Sequence, residues 1–466
     1  MKNILLIGAG RSASTLIKYL LDNSQKEGWK ITVADISLDL ARQKTQNHPN
    51  AQPIAFDVNN EVQRISEIGK VDMVISMLPA TMHLSVAMEC LKQKKNLVTA
   101  SYVSAQMKAL DADAKKAGVI FLNEIGLDPG IDHLSAMKVI DEVKAKGGTM
   151  VTFRSYCGGL VAPESNDNPW GYKFTWNPRA VVMAGQSGDS AGATAQFLEN
   201  GKIKYVPYTR LFSNVETIAM DGHGNGSTPL TMKFEAYANR DSLAYMELYG
   251  LHDVKNMLRG TMRMPGFCRA WNTFIQLGLT DDNCKVSDSE NTTYAQLIES
   301  FLPEGKGGSV KKKLAKFLKE KDNSPVMKKL DWLGIFKDQR IGLKDSSPAE
   351  ILLDLLMKKW SLKPKDKDMV VMQHIFEYKD ANPKSQIPNP KSQVRRITSS
   401  LVVMGDDQIN TAMSKTVGLP MGISAKMILN GKIGLKGVWV PTVKEIYDPV
   451  LAELENFGIR FTEKHS

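Results

Sequence analysis

The first residues whose types and spacing suggest chemistry form a glycine-rich turn near the N-terminus. Gly8 and Gly10 are followed by Arg11, Ser12 and Ala13 in the pattern G-x-G-x-x-A, between an apolar run and a segment with helical periodicity. In this context Gly8 permits a tight turn, Gly10 lets a pyrophosphate approach the backbone, and Ala13 allows close packing of the helix. The free N–H groups of the helix start favour an anion, and the Ser12 hydroxyl is a further donor. The pattern predicts a dinucleotide-binding site.

A carboxylate at Asp35 ends the second apolar run and indicates which dinucleotide is bound. At this place in a nucleotide-binding fold, a carboxylate accepts hydrogen bonds from the ribose hydroxyls and repels a 2′-phosphate. Asp35 therefore favours NAD over NADP. One alternative makes Asp35 only the cap of a helix that begins near Ser37, and the nearby Arg42 keeps NADP open.

Two further residues follow apolar runs where nucleotide-binding folds often contact the cofactor. Asp57 comes after the run at residues 53–56, as a candidate adenine contact, and Leu78 comes after the run that ends at Ser76. Both residues fit ordinary turns equally well. The sequence leaves the two interpretations open.

The composition indicates a globular protein without a nucleic-acid or membrane partner. The chain has 466 residues, of which 42% are hydrophobic, which is enough for two or three domains. Its four cysteines show no metal-ligand spacing and no disulfide framework, so we expect reduced thiols in the cytoplasm. The net charge of +10 is concentrated in lysine-rich stretches at 311–321 and 358–367, which predict solvated helix surfaces. We read the first apolar run as a strand rather than a signal peptide, and no stretch approaches the roughly 18 apolar residues of a membrane span.

These candidate residues require a fold that brings strand ends to a common edge. Apolar runs alternate with helix-like segments up to about residue 128, which predicts an α/β fold with a Rossmann-like doubly wound parallel sheet. Longer strand candidates at 150–156 and 230–237 predict a second, mixed α/β domain, and residues 254–359 have mostly helical periodicity. Strand candidates at 369–378 and 394–404 flank a duplicated Asn-Pro-Lys-Ser-Gln, which predicts the tip of a hairpin.

Several longer strings resemble the saccharopine dehydrogenase family of the glutamate-forming type, also called saccharopine reductase. The similarity runs nearly end to end, and it is carried by residues 99–104 (TASYVS), 123–133 (NEIGLDPGIDH), 155–159 (SYCGG) with 162–164 (APE), 171–174 (GYKF), 239–242 (NRDS), 259–263 (RGTMR) and 416–420 (TVGLP). The resemblance implies a Rossmann domain at 1–128 that is completed by 405–466. It also implies a substrate-binding and dimerisation α/β domain at 129–253 and 368–404, and a mostly helical domain at 254–367.

The resemblance also implies a reaction. NAD(P) oxidises the secondary amine of saccharopine to an imine, and water then releases L-glutamate and 2-aminoadipate 6-semialdehyde, or the reverse, in lysine metabolism. Because this substrate carries several carboxylates, the site needs guanidinium groups that bind them in a fixed orientation. The resemblance assigns this role to Arg240 and Arg263, with Thr261 and Met262 as adjoining substrate contacts, and implies a homodimer.

Residues near the reacting centre are assigned in the same way. Ala100 and Ser101 follow a strand at the cofactor edge, Ser101 and Tyr102 are implied at the junction of cofactor and substrate, and Asp128 lies beside the reaction centre and the cofactor. The group that moves the proton stays open between Asp128, Tyr102 and a bound water. Cys157 is a further catalytic candidate, or simply a small buried residue.

Alternatives remain for both the site and the function. Glu124 and His133 stand close together in sequence, but no second histidine or cysteine ligand stands at a suitable spacing and hydride transfer to a nicotinamide needs no metal, so we expect none. The strings depart from the family pattern at Val161, at residues 243–244 and at residues 264–265, which leaves the substrate open. A related imine-reducing dehydrogenase acting on a carboxylated polyamine such as carboxynorspermidine is the second hypothesis. A protein without enzymatic activity, either a nucleotide-binding regulator or a basic interaction protein, is the third.

Overall fold

The computed structural model describes residues 1–184, 194–223, 229–304, 307–380 and 394–466. Its strands, in chain order, are β1 Lys2–Ile7, β2 Trp29–Asp35, β3 Ala51–Ala55, β4 Met73–Ser76, β5 Asn96–Thr99, β6 Ile120–Leu122, β7 Thr149–Val161, β8 Thr194–Glu199, β9 Lys202–Pro207, β10 Val215–His223, β11 Pro229–Ala238, β12 Asn256–Arg263, β13 Asp368–Lys379, β14 Val394–Met404, β15 Gly437–Trp439 and β16 Thr462–His465.

The α-helices follow the same order along the chain. They are α1 Ser14–Glu27, α2 Leu38–Thr45, α3 Glu61–Gly69, α4 His83–Lys92, α5 Ala105–Ala109, α6 Asp111–Ala117, α7 Ile131–Ala145, α8 Pro178–Val182, α9 Tyr208–Leu211, α10 Ala244–Leu248, α11 Phe267–Gln276, α12 Tyr294–Ser300, α13 Val310–Phe317, α14 Pro325–Leu333, α15 Pro348–Trp360, α16 Ala412–Leu429 and α17 Lys444–Leu454. Among the described helices, none is both long enough and apolar enough to cross a bilayer.

Contacts between residues divide the chain into two compact units. The first contains residues 1–152, 247–253 and 374–466, and the second contains residues 153–246 and 254–373. The three domains that the family resemblance implies are a different division of the chain, and they stay a prediction.

The first unit contains the parallel sheet that the alternating apolar runs predict. Its seven strands are ordered β15-β6-β5-β4-β1-β2-β3 and pair in parallel, so the predicted doubly wound fold is confirmed. Residues 4–6 of the central strand β1 have no solvent exposure, as expected for a strand covered on both faces. The strand order reverses at β1, and in such sheets ligands bind at the carboxyl ends beside the reversal.

The C-terminal segment contributes to this same unit. Strand β15 extends the sheet next to β6, and α16 packs against α1. The close approach of the two helices depends on glycine, since a Cβ at Gly418 would lie 2.7 Å from the backbone nitrogen of Leu16. The Thr15 N–H also donates to the buried Ser414 hydroxyl at 2.8 Å.

The second unit contains a mixed sheet and a group of helices, also as predicted. Strands β10, β11 and β12 pair antiparallel, β8 pairs with β12, and β9 pairs with β8. From Phe267 to Trp360 the described elements are the five helices α11 to α15. Three fully buried tryptophans, Trp170, Trp271 and Trp360, form their aromatic core. The duplicated Asn-Pro-Lys-Ser-Gln lies outside the described residues.

Candidate active site

The glycine turn has the backbone that a dinucleotide requires. Gly8 has φ of 101°, and a Cβ there would lie 3.0 Å from the carbonyl oxygen of Met77, so only glycine fits without strain. A Cβ at Gly10 would meet no protein atom within 4 Å, which leaves the backbone accessible to a ligand. Ala13 is 1% exposed and packs tightly just before α1 begins, and Arg11 and Ser12 lie in the turn between. These residues fit a pyrophosphate at the start of α1.

Asp35 is held beside this turn at the end of β2. Its Oδ2 accepts a hydrogen bond from the Ala9 N–H at 2.8 Å, and its Oδ1 accepts from the Ser37 N–H at 2.9 Å. The side chain that caps α2 is Ser37, which accepts from the Leu40 N–H, so capping is not the role of Asp35. The next residue, Ile36, is 80% exposed. A fixed carboxylate and an exposed apolar side chain fit a ribose and an adenine ring.

The other cofactor candidates lie in more ordinary surroundings. Asp57 is exposed and its Oδ1 accepts from the Asn59 N–H at 2.9 Å, which is turn chemistry. Leu78 packs against the hydrophobic core beside the sheet. Ala100 follows β5 and packs against Gly126. A Cβ added at Gly126 would lie only 2.9 Å from the Ala100 methyl group. Cofactor contacts at these three positions stay predictions.

Ser101 is bound to a buried histidine that the sequence analysis missed. His83 Nε2 lies 2.7 Å from Ser101 Oγ, and His83 Nδ1 lies 2.9 Å from Ser76 Oγ. Burial of the imidazole lowers the pKa of His83 to about 4, so the ring is neutral near neutral pH. The one sequence feature that could have indicated His83 is its position at the start of α4, shortly after the carboxyl end of β4.

Tyr102 and Asp128 are in direct contact. The Tyr102 hydroxyl donates to Asp128 Oδ1 at 3.2 Å. Two of the groups that the sequence proposes for proton transfer therefore form one hydrogen-bonded pair within the first unit. Such a pair can pass a proton from a reacting amine to a carboxylate.

Glu124 and His133 bind each other rather than presenting ligands for a metal. Glu124 Oε2 and His133 Nε2 are 2.9 Å apart. Across the described ranges, no group of three or more His, Cys, Asp or Glu side chains is arranged to hold a metal ion.

In the second unit, Arg263 is a buried cation with incomplete hydrogen bonding. The residue is 5% exposed, one guanidinium nitrogen donates to the Met262 carbonyl at 3.0 Å, and Nε has no partner. Aromatic rings surround the guanidinium carbon at 5.2 Å (Tyr172), 5.9 Å (Tyr237) and 5.6 Å (Phe267). No carboxylate of the described residues forms an ion pair with it. Since a buried charge is costly without a counterion, this environment is suited to an anionic ligand.

The rings around Arg263 are also functional candidates that the sequence analysis missed. Tyr237 faces Thr261 across the β11–β12 pair, and burial raises the pKa of Tyr237 to about 12. Both it and Tyr172 are far from Arg263 in sequence. Tyr172 lies in the string 171–174, to which the sequence analysis gave no role, and Tyr237 lies in none of the quoted strings.

The remaining substrate candidates lie in the same unit as Arg263. Arg240 has φ of 49°, a left-handed conformation that is uncommon for arginine and that occurs at functional sites. Thr261 and Met262 lie on β12, and the buried Cys157 lies on β7. Strands β7 and β12 approach each other closely at Gly158. A Cβ added there would lie 2.9 Å from the Met262 carbonyl oxygen.

The predicted residues thus form two sets, one in each unit. The glycine turn, Asp35, Ser101, Tyr102 and Asp128 belong to the first unit. The second set is Cys157, Arg240, Thr261, Met262 and Arg263.

Both parts of the chain match models of one protein family. Residues 4–122 match the family model described as the saccharopine dehydrogenase NADP binding domain, and residues 126–459 match the saccharopine dehydrogenase C-terminal domain. The chain is 34% identical over 472 residues to saccharopine dehydrogenase [NADP(+), L-glutamate-forming] from Pyricularia oryzae, covering 99% of both chains. It is also 34% identical to mitochondrial alpha-aminoadipic semialdehyde synthase from Bos taurus, with 99% of this chain and 47% of that protein covered. The apo structure of saccharopine dehydrogenase (L-Glu forming) from Saccharomyces cerevisiae aligns with a TM-score of 0.85 at 32% identity, and all of both chains is covered.

Proposed function

The chain belongs to the saccharopine dehydrogenase family, and from this premise we propose that it interconverts saccharopine with L-glutamate and 2-aminoadipate 6-semialdehyde. The reaction oxidises a secondary amine to an imine, which water then hydrolyses. It belongs to lysine metabolism. The relatives that match 99% of this chain are named saccharopine dehydrogenase or alpha-aminoadipic semialdehyde synthase.

The observation that carries the proposal is the environment of Arg263. A guanidinium that is 5% exposed, with Nε unpartnered and no carboxylate paired to it among the described residues, needs an anion. A substrate carboxylate supplies that anion and accepts two parallel N–H bonds from the planar guanidinium. The aromatic rings on its faces hold the guanidinium in position.

We assign the remaining roles as follows. A nicotinamide dinucleotide bound at the glycine turn supplies the hydride acceptor for the amine carbon. The Tyr102 hydroxyl, hydrogen-bonded to Asp128 Oδ1, takes the amine proton and passes it to the carboxylate. Ser101, which is oriented by its hydrogen bond to His83, contacts the cofactor and the substrate at the carboxyl edge of the parallel sheet. Arg240 binds a second carboxylate, with Thr261 and Met262 as adjoining contacts, and Cys157 stays a further catalytic candidate.

The choice between NAD and NADP depends on Asp35. The family model and the name of the Pyricularia oryzae relative both specify NADP, and these comparisons favour NADP. In this chain, however, the Asp35 carboxylate is fixed by the Ala9 and Ser37 N–H groups, where a 2′-phosphate would meet its negative charge. Arg42, the cation that kept NADP open in the sequence, lies 3.6 Å from Asp39 and its side chain is 61% exposed. We therefore propose NAD as the preferred cofactor.

The experiment is a spectrophotometric assay of the purified protein. Saccharopine with NAD should produce reduced nicotinamide at a higher kcat/KM than with NADP, and carboxynorspermidine should give no comparable rate. Arg263→Gln should lower kcat/KM for saccharopine by about 100-fold, the cost of losing a charged hydrogen-bonded contact of about 3 kcal/mol. Arg154→Gln is the matched control, because Arg154 is paired with Glu216 at 3.1 Å on the same sheet. Undiminished saccharopine turnover in Arg263→Gln would refute the assignment.

Two further properties are proposals with separate tests. None of the four cysteines, Cys90, Cys157, Cys268 and Cys284, forms a disulfide bond, which fits a reducing compartment such as the cytoplasm. Fractionation of the native cells tests that location. A homodimer is the oligomeric state we propose, and light scattering coupled to gel filtration measures it directly.

A further inference from the structure

Glu124 has a conformation and surroundings that the reaction itself does not explain. The residue is 6% exposed and has φ of 54°, in the left-handed region that side chains other than glycine and asparagine rarely adopt. Backbone strain of this kind persists only where surrounding contacts determine it. These contacts lie on the segment 101–103, which carries Ser101 and Tyr102.

Glu124 binds this segment on both sides of Tyr102. Its backbone N–H donates to the Ser101 carbonyl at 3.1 Å, and its Oε1 accepts from the Val103 N–H at 2.9 Å. The left-handed backbone of Glu124 lets its main chain and its side chain reach the same segment. Tyr102 therefore projects from a stretch of backbone that is fixed at the residue before it and the residue after it.

The second carboxylate oxygen of Glu124 is held by a buried chain. His133 has no solvent exposure, and its Nε2 lies 2.9 Å from Glu124 Oε2. Its Nδ1 lies 2.6 Å from the Tyr249 hydroxyl, and the two rings meet edge to face at 5.7 Å. The network is consistent with Nε2–H donating to the carboxylate and the tyrosine hydroxyl donating to Nδ1. Both carboxylate oxygens of Glu124 are thus in use.

We propose that the chain Glu124–His133–Tyr249 is a positioning device for the segment 101–103. In this proposal its members act through the backbone that carries Tyr102 rather than by binding the substrate or the cofactor. By fixing this backbone, they keep the Tyr102 hydroxyl directed at Asp128 Oδ1, 3.2 Å away. The inference rests on the proposed function for its kinetic consequence, but its structural part is independent of the substrate.

The test is a graded series of variants. Glu124→Ala removes the acceptor for the Val103 N–H and should lower kcat by about 10- to 100-fold, as expected when a reacting group is displaced. Glu124→Gln keeps an amide oxygen for Val103 and lets the histidine change tautomer, so it should recover a large part of that loss. Tyr249→Phe removes only the outermost bond and should lower kcat by a few-fold. Tyr447→Phe, which removes a tyrosine bond to Asp141 at 2.8 Å in the same unit, is the matched control and should leave kcat unchanged.

Two readouts separate positioning from a general loss of stability. Hydrogen exchange at the Val103 amide should accelerate in Glu124→Ala and Tyr249→Phe but not in Tyr447→Phe, while exchange in β1 stays protected in all of them. The affinity for dinucleotide alone, measured by fluorescence, should stay within about two-fold. A normal kcat in Glu124→Ala, or an unchanged Val103 exchange rate in both Glu124→Ala and Tyr249→Phe, would overturn the proposal.

The exchange measurement needs no substrate. If the wild type fails to turn over saccharopine, the proposed function fails while the exchange result still decides whether Glu124 holds the segment. If Glu124→Ala does not fold, Tyr249→Phe and Glu124→Gln carry the same test.

Discussion

The buried imidazole of His83 should make the protein lose stability as the pH falls. Its pKa is lowered to about 4 in the folded state by burial, against 6.5 for an unburied histidine. At pH values above both of these pKa values, the ring is neutral in the folded and in the unfolded chain, so it adds no pH dependence to the free energy of unfolding. Between these two values the unfolded chain takes up the proton and the folded chain does not, so folding becomes less favourable. The shift of roughly 2.5 pH units corresponds to about 3 kcal/mol at full development.

The measurement is the free energy of unfolding by urea at about pH 7 and about pH 5. About 2 kcal/mol of the loss develops over this interval according to the linkage relation. Because carboxylates titrate as well, the informative quantity is the difference between the wild type and His83→Gln, which cannot bind a proton at this position. His83→Gln should lose about 2 kcal/mol less than the wild type, while His252→Gln, whose side chain is 61% exposed, should behave as the wild type does.

Direct titration of the ring by NMR checks the cause. Equal losses in the wild type and His83→Gln, or protonation of His83 close to pH 6.5, would refute the reasoning, since either result requires a solvated ring. The cluster around Ser101 would then need a different hydrogen-bonding arrangement.

Three further changes have defined outcomes. Gly8→Ala forces a side chain into a backbone with φ of 101° and within 3.0 Å of the Met77 carbonyl oxygen, so calorimetry should show dinucleotide binding weakened by at least about ten-fold. Asp35→Ser removes the charge that faces a 2′-phosphate, and the ratio of kcat/KM for NADP to that for NAD should rise by about ten-fold or more; an unchanged ratio would count against NAD as the preferred cofactor. Lys173→Met leaves Asp167 (2.8 Å) and Asp366 (2.6 Å) without their shared buried cation, so urea denaturation should show a loss of about 3 kcal/mol.

Features set by neighbouring residues were predictable from the sequence. The glycine turn, the parallel strands before it and after it, and the carboxylate at Asp35 all belong to one short stretch, in which apolar runs and turn residues determine the structure locally. The strand candidates at 369–378 and 394–404 were confirmed as β13 and β14 to within a residue at each end. In contrast, the strand predicted at 53–56 is Ala51–Ala55, because pairing with β2 rather than local apolar character sets its limits.

Features made by contacts between distant residues were not predictable. His83 reaches Ser101 across 18 positions, and Tyr249 reaches His133 across 116 positions. No periodicity or motif spacing relates such pairs, and the same residue types occur elsewhere as ordinary core or surface groups. The string at 123–133 was recognisable, yet the sequence analysis considered Glu124 and His133 only as metal ligands. The geometry instead shows them joined to each other and to the segment that carries Tyr102.

The reaction and the choice of dinucleotide depend on different residues. Family membership is therefore stronger evidence for the reaction than for the choice between NAD and NADP. The reaction needs several groups at once, for which we propose Tyr102, Asp128 and Arg263, and the similarity to a relative of this function extends over 99% of the chain. For the 2′-position of the ribose we propose a single determining side chain, Asp35 at the end of β2. A relative that is 34% identical can differ there without any change in the reaction. The family model and the relatives name NADP, whereas our proposal of NAD rests on the Asp35 carboxylate, which is fixed by two backbone N–H groups; the ratio of NAD to NADP turnover is the measurement that decides between them.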